Sequence, residues 1–91
     1  MAIELRKGRT YRGKKPRAIT QLGDALVNDR TIIYLGIDFV QYDGPAVKTG
    51  RHYPRVKREE FLAWAERDVT DELPKGEYAA WPPKKPEVAN G

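Results

Sequence analysis

The chain has 91 residues, 40% hydrophobic and 33% charged, with 17 Lys and Arg against 13 Asp and Glu for a formal net charge of +4. That length holds one domain with one modest core, and the apolar residues fall in blocks, unlike those of a wholly disordered polymer. The absence of cysteine excludes disulfide frameworks, thiolate zinc sites and cysteine nucleophiles, and a small domain without such staples is expected in a reducing cytoplasm.

The opening residues, Met1 to Lys7, contain no apolar signal-peptide core. No stretch approaches the length needed to span a bilayer as a helix, so a soluble protein without a membrane partner is expected. The charge is uneven. Residues 1–58 carry 13 Lys/Arg against 5 Asp/Glu, whereas residues 59–91 carry 4 against 8. A basic front and an acidic back speak to partners rather than to fold.

The first element is embedded in Arg6–Arg17, which contains seven basic residues and no acidic one. Gly8 and Gly13 punctuate it. Thr10-Tyr11 predicts a short edge strand near Arg9–Arg12, followed by a basic turn at Gly13–Pro16, since proline cannot donate to a ladder. Residues 17–22 alternate weakly and form a candidate second strand. Asp24–Val27 fits a helical turn or a loop. Thr31–Leu35 is β-branched and aromatic, and Asp38–Tyr42 alternates polar with apolar, so the pair predicts a hairpin about Gly36–Asp38. Asp43-Gly44 is a turn signal, and a further strand is expected within Ala46–Tyr53.

Beyond Pro54 the period lengthens. A helix is predicted over about 57–68, with Phe61, Leu62, Ala65 and Val69 on its buried face and Glu59 and Glu60 in its first turn. Residues 74–91, with Pro82-Pro83-Lys84-Lys85-Pro86, read as a flexible proline-rich tail. Four or five short strands and one helix amount to a mixed β/α domain over residues 5–73, most easily closed as a small, partly open barrel.

The segment Val40-Gln41-Tyr42, then Gly50-Arg51-His52-Tyr53, then Phe61-Leu62-Ala63-Trp64-Ala65 resembles small uncharacterised proteins of phages and prophages. The resemblance covers about residues 30–68. It implies an SH3-like β-barrel with a short C-terminal helix and attaches no functional residues.

Two basic groups are the candidate nucleic-acid-binding residues. Arg6, Lys7, Arg9, Arg12, Lys14, Lys15 and Arg17 suit phosphate neutralisation, with Tyr11 among them as a base-stacking ring. Arg51, His52, Arg55 and Arg58, with Lys57, form the second, and a barrel could bring both onto one face. The competing reading for each group is an ordinary solvated surface. His52 has no partner at a catalytic or ligand spacing, and no phosphate-loop, dinucleotide, paired-carboxylate or metal motif is present. No catalysis and no cofactor are therefore expected. Trp64 reads as a core plug. Tyr78 and Trp81 are candidate protein-docking aromatics, or a segment folded back on the domain.

The expected function is that of a non-catalytic accessory protein of phage type. Its basic face would contact nucleic acid or a nucleic-acid-associated protein complex. The alternative is an inhibitor or adaptor bound to a host protein with an acidic surface, and a monomer is expected in either case.

Overall fold

In the computed structural model, residues 3–21, 23–47, 52–73 and 77–83 are described. Among these residues the architecture is mixed β/α: seven strands in two sheets, with one α-helix. The strands are β1 (Thr10–Gly13), β2 (Ala18–Gln21), β3 (Asp24–Val27), β4 (Arg30–Leu35), β5 (Phe39–Asp43), β6 (Arg55–Lys57) and β7 (Ala65–Asp68), and the helix α1 is Arg58–Trp64. A 3-10 turn, Thr70–Glu72, follows.

The main sheet has the order β6-β5-β4-β1-β7 and is antiparallel throughout. Its middle is the predicted hairpin: Ile32 faces Tyr42 and Leu35 faces Val40. The first strand lies between β4 and the last strand, so both ends of the chain's folded unit meet in one ladder. Tyr11 faces Arg30 on one side and Asp68 on the other. The sheet ends in β6 and β7, and among the described residues these two edges do not pair. It is therefore not closed into a barrel.

Between β1 and β4 the chain makes a second hairpin, β2–β3, in register from Ala18–Val27 to Gln21–Asp24. Gly23 takes φ +86° at its turn, a left-handed value that side chains with a Cβ resist. Asp24–Val27, which fitted a helical turn or a loop, is thus a strand. Residues 77–83 return alongside it. The Val27 amide donates to the Ala79 carbonyl and the Trp81 amide to the Ala25 carbonyl, each at 2.9 Å. This part of the proline-rich stretch is docked on the domain; residues 84–91 lie outside the described residues.

Side-chain alternation along β1 splits the molecule into an apolar and a polar side. Tyr11 points inward and joins Leu5, Ile32, Val40, Phe61 and Ala65 in the core. Phe61 meets the Tyr11 ring edge-on at 5.5 Å and the Trp64 ring at 5.2 Å. Thr10 and Arg12 point the other way, yet both are buried, because Asp29 and Tyr78 cover that side of β1.

The helix departs from expectation. It stops at Trp64 rather than near 68, and a strand follows it, so it is not the C-terminal element. Ala65–Asp68 instead fill the open edge of β1, whose backbone groups would otherwise lack partners. Leu62 was expected in the core and is 39% exposed, while Phe61 is fully buried. The strand expected within Ala46–Tyr53 lies later, at Arg55–Lys57, and residues 48–51 lie outside the described residues. No helix among the described residues is long and apolar enough to cross a membrane.

Candidate nucleic-acid interface

The structure divides the first basic run by the alternation of β1 and by the acidic residues of β7. Arg9 leaves the start of β1 towards the opposite end of the chain. Its Nε donates to Asp68 at 2.7 Å and its Nη2 to Asp71 at 3.2 Å. These bonds, Asp68 first, push the Arg9 pKa further up. Burial alone would raise the Asp68 carboxyl, but hydrogen bonds from Arg9 and Thr70 outweigh it and hold the group below its ordinary value. Arg9 is thus a structural cation.

Arg12 is more deeply committed. Its Nε and Nη2 meet the two carboxylate oxygens of Asp29, both at 3.0 Å, and both side chains are almost wholly buried. No phosphate can approach without breaking that pair, so Arg12 leaves the interface.

Tyr11 leaves it too. Its hydroxyl donates to the Glu4 carbonyl and accepts from the Arg6 amide, each at 2.9 Å, and its ring is fully buried. A base cannot stack on it. Burial raises its pKa, against the Arg6 amide bond, which lowers it.

What remains outside is Lys7, Lys14, Lys15 and Arg17, all exposed, together with Arg6, which forms an exposed pair with Glu4 at 3.2 Å. Lys14–Arg17 is a loop tied at both ends. The Lys14 amide donates to the Trp64 carbonyl at 2.9 Å. The Arg17 amide donates to Asn28 Oδ1 at 2.8 Å, and the Asn28 amide returns a bond to the Arg17 carbonyl at 3.0 Å. The cations are therefore presented on fixed backbone and make no ion pair among the described residues.

The second group sits on and beside β6. His52 and Lys57 are exposed, and Arg55 lies over the Phe39 ring at 4.0 Å. Arg58 is half-buried and donates to the Gly36 carbonyl at 3.0 Å, which ties α1 to the β4–β5 turn. Arg51 lies outside the described residues. Because β4 and β5 separate β6 from β1, the two groups occupy different parts of the surface.

Three side chains, Arg30, Tyr34 and Tyr53, carry features that the sequence does not show. Arg30 is half-buried with its guanidinium 4.5 Å from the Tyr42 ring and 4.1 Å from the Trp64 ring, and burial lowers its pKa. Tyr34 and Tyr53 are exposed aromatics, at 50% and 46%. Alternation from the buried Ile32 would turn Tyr34 inward; the register shift between Ile32 and Tyr34 turns it out, and no sequence signal marks that irregularity. Of the docking candidates, Tyr78 is half-buried with its hydroxyl 2.9 Å from Thr31 Oγ1, and burial raises its pKa. Trp81 is 38% exposed on β3.

The cleft beside residues 77–83 is lined by Arg12, Glu72, Glu77 and Tyr78. Among the described residues its one cation is already paired and its two carboxylates repel phosphate. Among the described residues no three His, Cys, Asp or Glu side chains gather into a metal-binding group. No family model, no curated protein and no solved structure matches the chain.

Proposed function

We propose that this protein is a non-catalytic binder of nucleic acid that meets the phosphate backbone through the anchored loop Lys14–Arg17, with Lys7 in support and Arg55 and Lys57 as a second, separate contact. The observation that carries this reading is the contrast within one basic run. Arg9 and Arg12 are held by Asp68, Asp71 and Asp29, whereas Lys14, Lys15 and Arg17 stand exposed on a loop whose backbone is pinned at both ends. Cations on fixed backbone lose little loop entropy on binding, and each neutralised phosphate releases counterions. The fold proposed with it is an open SH3-like barrel. Five short antiparallel strands with the first joined to the last support that reading.

The test is a fluorescence titration with labelled duplex at two salt concentrations. Each neutralised duplex phosphate adds about 0.9 to the log–log salt slope, so Lys14→Ala, Lys15→Ala and Arg17→Ala together should flatten it by up to roughly three units. Arg9→Ala should leave the slope unchanged, because its charge is already spent on Asp68 and Asp71. No binding even at low salt would end the proposal.

A second reading, docking to a protein partner, is favoured by Ile37. It is 96% exposed at the β4–β5 turn, in a shallow groove with Leu62, where Lys57 and Arg58 stand beside Asp38 and Glu59. That reading expects a nuclease-resistant protein complex that Ile37→Ser disrupts.

A further inference from the structure

The outer face of β4, β5 and β6 carries a feature that phosphate binding alone does not use. Register places Tyr34, Gln41 and Arg55 in one row across the three strands, with Phe39 beside Lys57 in the next. Their neighbours Leu35, Val40 and Val56 pack into the core, so alternation turns all five side chains outward. The Tyr34 and Phe39 rings are stacked, with centroids 5.5 Å and planes 28° apart. The Arg55 guanidinium covers Phe39 at 4.0 Å. Gly36 permits this arrangement, because a Cβ there would stand 2.7 Å from Phe39 Cε1.

On β1 and at Thr31 the outward positions are covered. Thr10 and Thr31 lie beneath Tyr78, and Arg12 beneath Asp29. On the meander no described element covers Tyr34, which keeps half its surface in water. The rows contain two cations and no carboxylate. Asp43, the next outward position on β5, is turned onto the Gly44 amide at 2.8 Å. Aromatic rings bordered by cations complement a polyanion whose bases present π-faces.

We infer that this face is a stacking platform for unpaired bases, so that the ligand is single-stranded rather than duplex nucleic acid. The inference rests on the phosphate-binding function proposed above. Bases within a duplex already use both faces against their neighbours, whereas an unpaired base can lie on Tyr34 while its phosphates meet Arg55 and Lys57. Phe39, held by Tyr34 and Arg55, keeps the platform flat.

The experiment titrates the intact protein, at one salt concentration, with a labelled oligothymidylate of about 12 nucleotides, within the span of a small single-strand module. A hairpin duplex with the same number of phosphates is titrated beside it. Single strand should bind at least about ten-fold more tightly, and Tyr34→Leu should weaken it roughly five- to 100-fold. Tyr34→Phe should retain that affinity, and duplex binding and the melting temperature should not move in either variant. Equal affinity for both ligands with Tyr34→Leu silent, while Lys14→Ala and Lys15→Ala weaken both, would overturn the platform and leave phosphate binding standing. No binding to either ligand at low salt would overturn both. A nuclease-resistant protein complex lost in Tyr34→Leu, without oligonucleotide affinity, would assign the face to a protein and overturn the inference.

Discussion

At the scale of single residues, the decisive event is the burial of Arg12. Moving a guanidinium and a carboxylate out of water costs several kcal/mol each, and only a well-formed pair offsets it. Two bonds of 3.0 Å between Arg12 and Asp29 supply that geometry. Arg12→Ala should therefore cost about 3–5 kcal/mol in chemical denaturation, because Asp29 is left charged and unpaired. Arg12→Met combined with Asp29→Leu should recover most of the loss, and a double variant as unstable as the single one would contradict this account. In the sequence Arg12 cannot be told from Lys14 by type or neighbourhood. The alternation about Tyr11 does place Thr10 and Arg12 on one side, but the cover on that side comes from Asp29 and Tyr78, which are remote in the chain. A second residue-scale prediction concerns Asp68, whose folded pKa is depressed by Arg9 and Thr70 against the opposing effect of burial. A depressed carboxylate stabilises the fold above its unfolded pKa of about 3.9, and that contribution fades as pH falls through the lower folded value. Wild type should thus lose a component of stability below about pH 4 that Asp68→Asn lacks. The two melting curves should converge on acidification, and parallel curves from neutral to acid pH would refute the assignment.

At the scale of elements, the buried positions were legible where the element type was not. Phe61, Ala65 and Val69 are spaced by four, and all three are buried. A spacing of four is close to one helical turn, but it is also two strand repeats, so it cannot decide between them. The tie is broken by pairing: β1 has an open edge, and Ala65–Asp68 satisfies it. Within the shortened helix, successive residues lie about 100° apart, and with Phe61 at the centre of the buried face Leu62 falls at its margin, 39% exposed. Phe61→Ala should cost about 3–5 kcal/mol, enough to unfold much of a domain this small. Leu62→Ala should stay within about 0.5 kcal/mol, as surface changes usually do. Thermal melts of the two variants separate the cases, and similar losses in both would mean that α1 is seated differently. Trp64, expected as a core plug, is partly buried against the core. Its ring lies so close to β1 that a Cβ on Gly13 would stand 2.5 Å from the indole nitrogen. Gly13→Ala should accordingly displace Trp64.

At the scale of the molecule, the charge asymmetry of the sequence is partly cancelled by the fold. Asp68 and Asp71 come from the acidic back, and they are spent on Arg9 of the basic front. Such cancellation depends on which strands pair, and β1 meets β7 across most of the chain, so net charge by segment overstated the basic surface. The same distance effect hid where the proline-rich stretch docks. Composition marks residues 74–91 as a tail, and only the aromatics Tyr78 and Trp81 pointed to a fold-back; Tyr78 bonds to Thr31, and the backbone of Ala79 and Trp81 pairs with β3. What no local pattern shows is that β3 offers an unpaired edge for them to occupy. Ending the chain after Leu73 tests this role. The truncation removes two backbone bonds and the Tyr78–Thr31 bond, and at about 0.5–1.5 kcal/mol each the loss should be roughly 2–4 kcal/mol. In a domain of this size that lowers the melting temperature by roughly 10 °C or more. Amide exchange localises the effect: the Val27 amide, which donates to Ala79, should lose protection, while the Ile32 amide, which donates to Arg9 in the main sheet, should keep more of its own. Binding of oligothymidylate below the melting point should survive, because Lys14–Arg17 and Tyr34 lie outside the segment removed. A truncated chain that melts with the full one, with Val27 still protected, would return residues 77–83 to the status of linker.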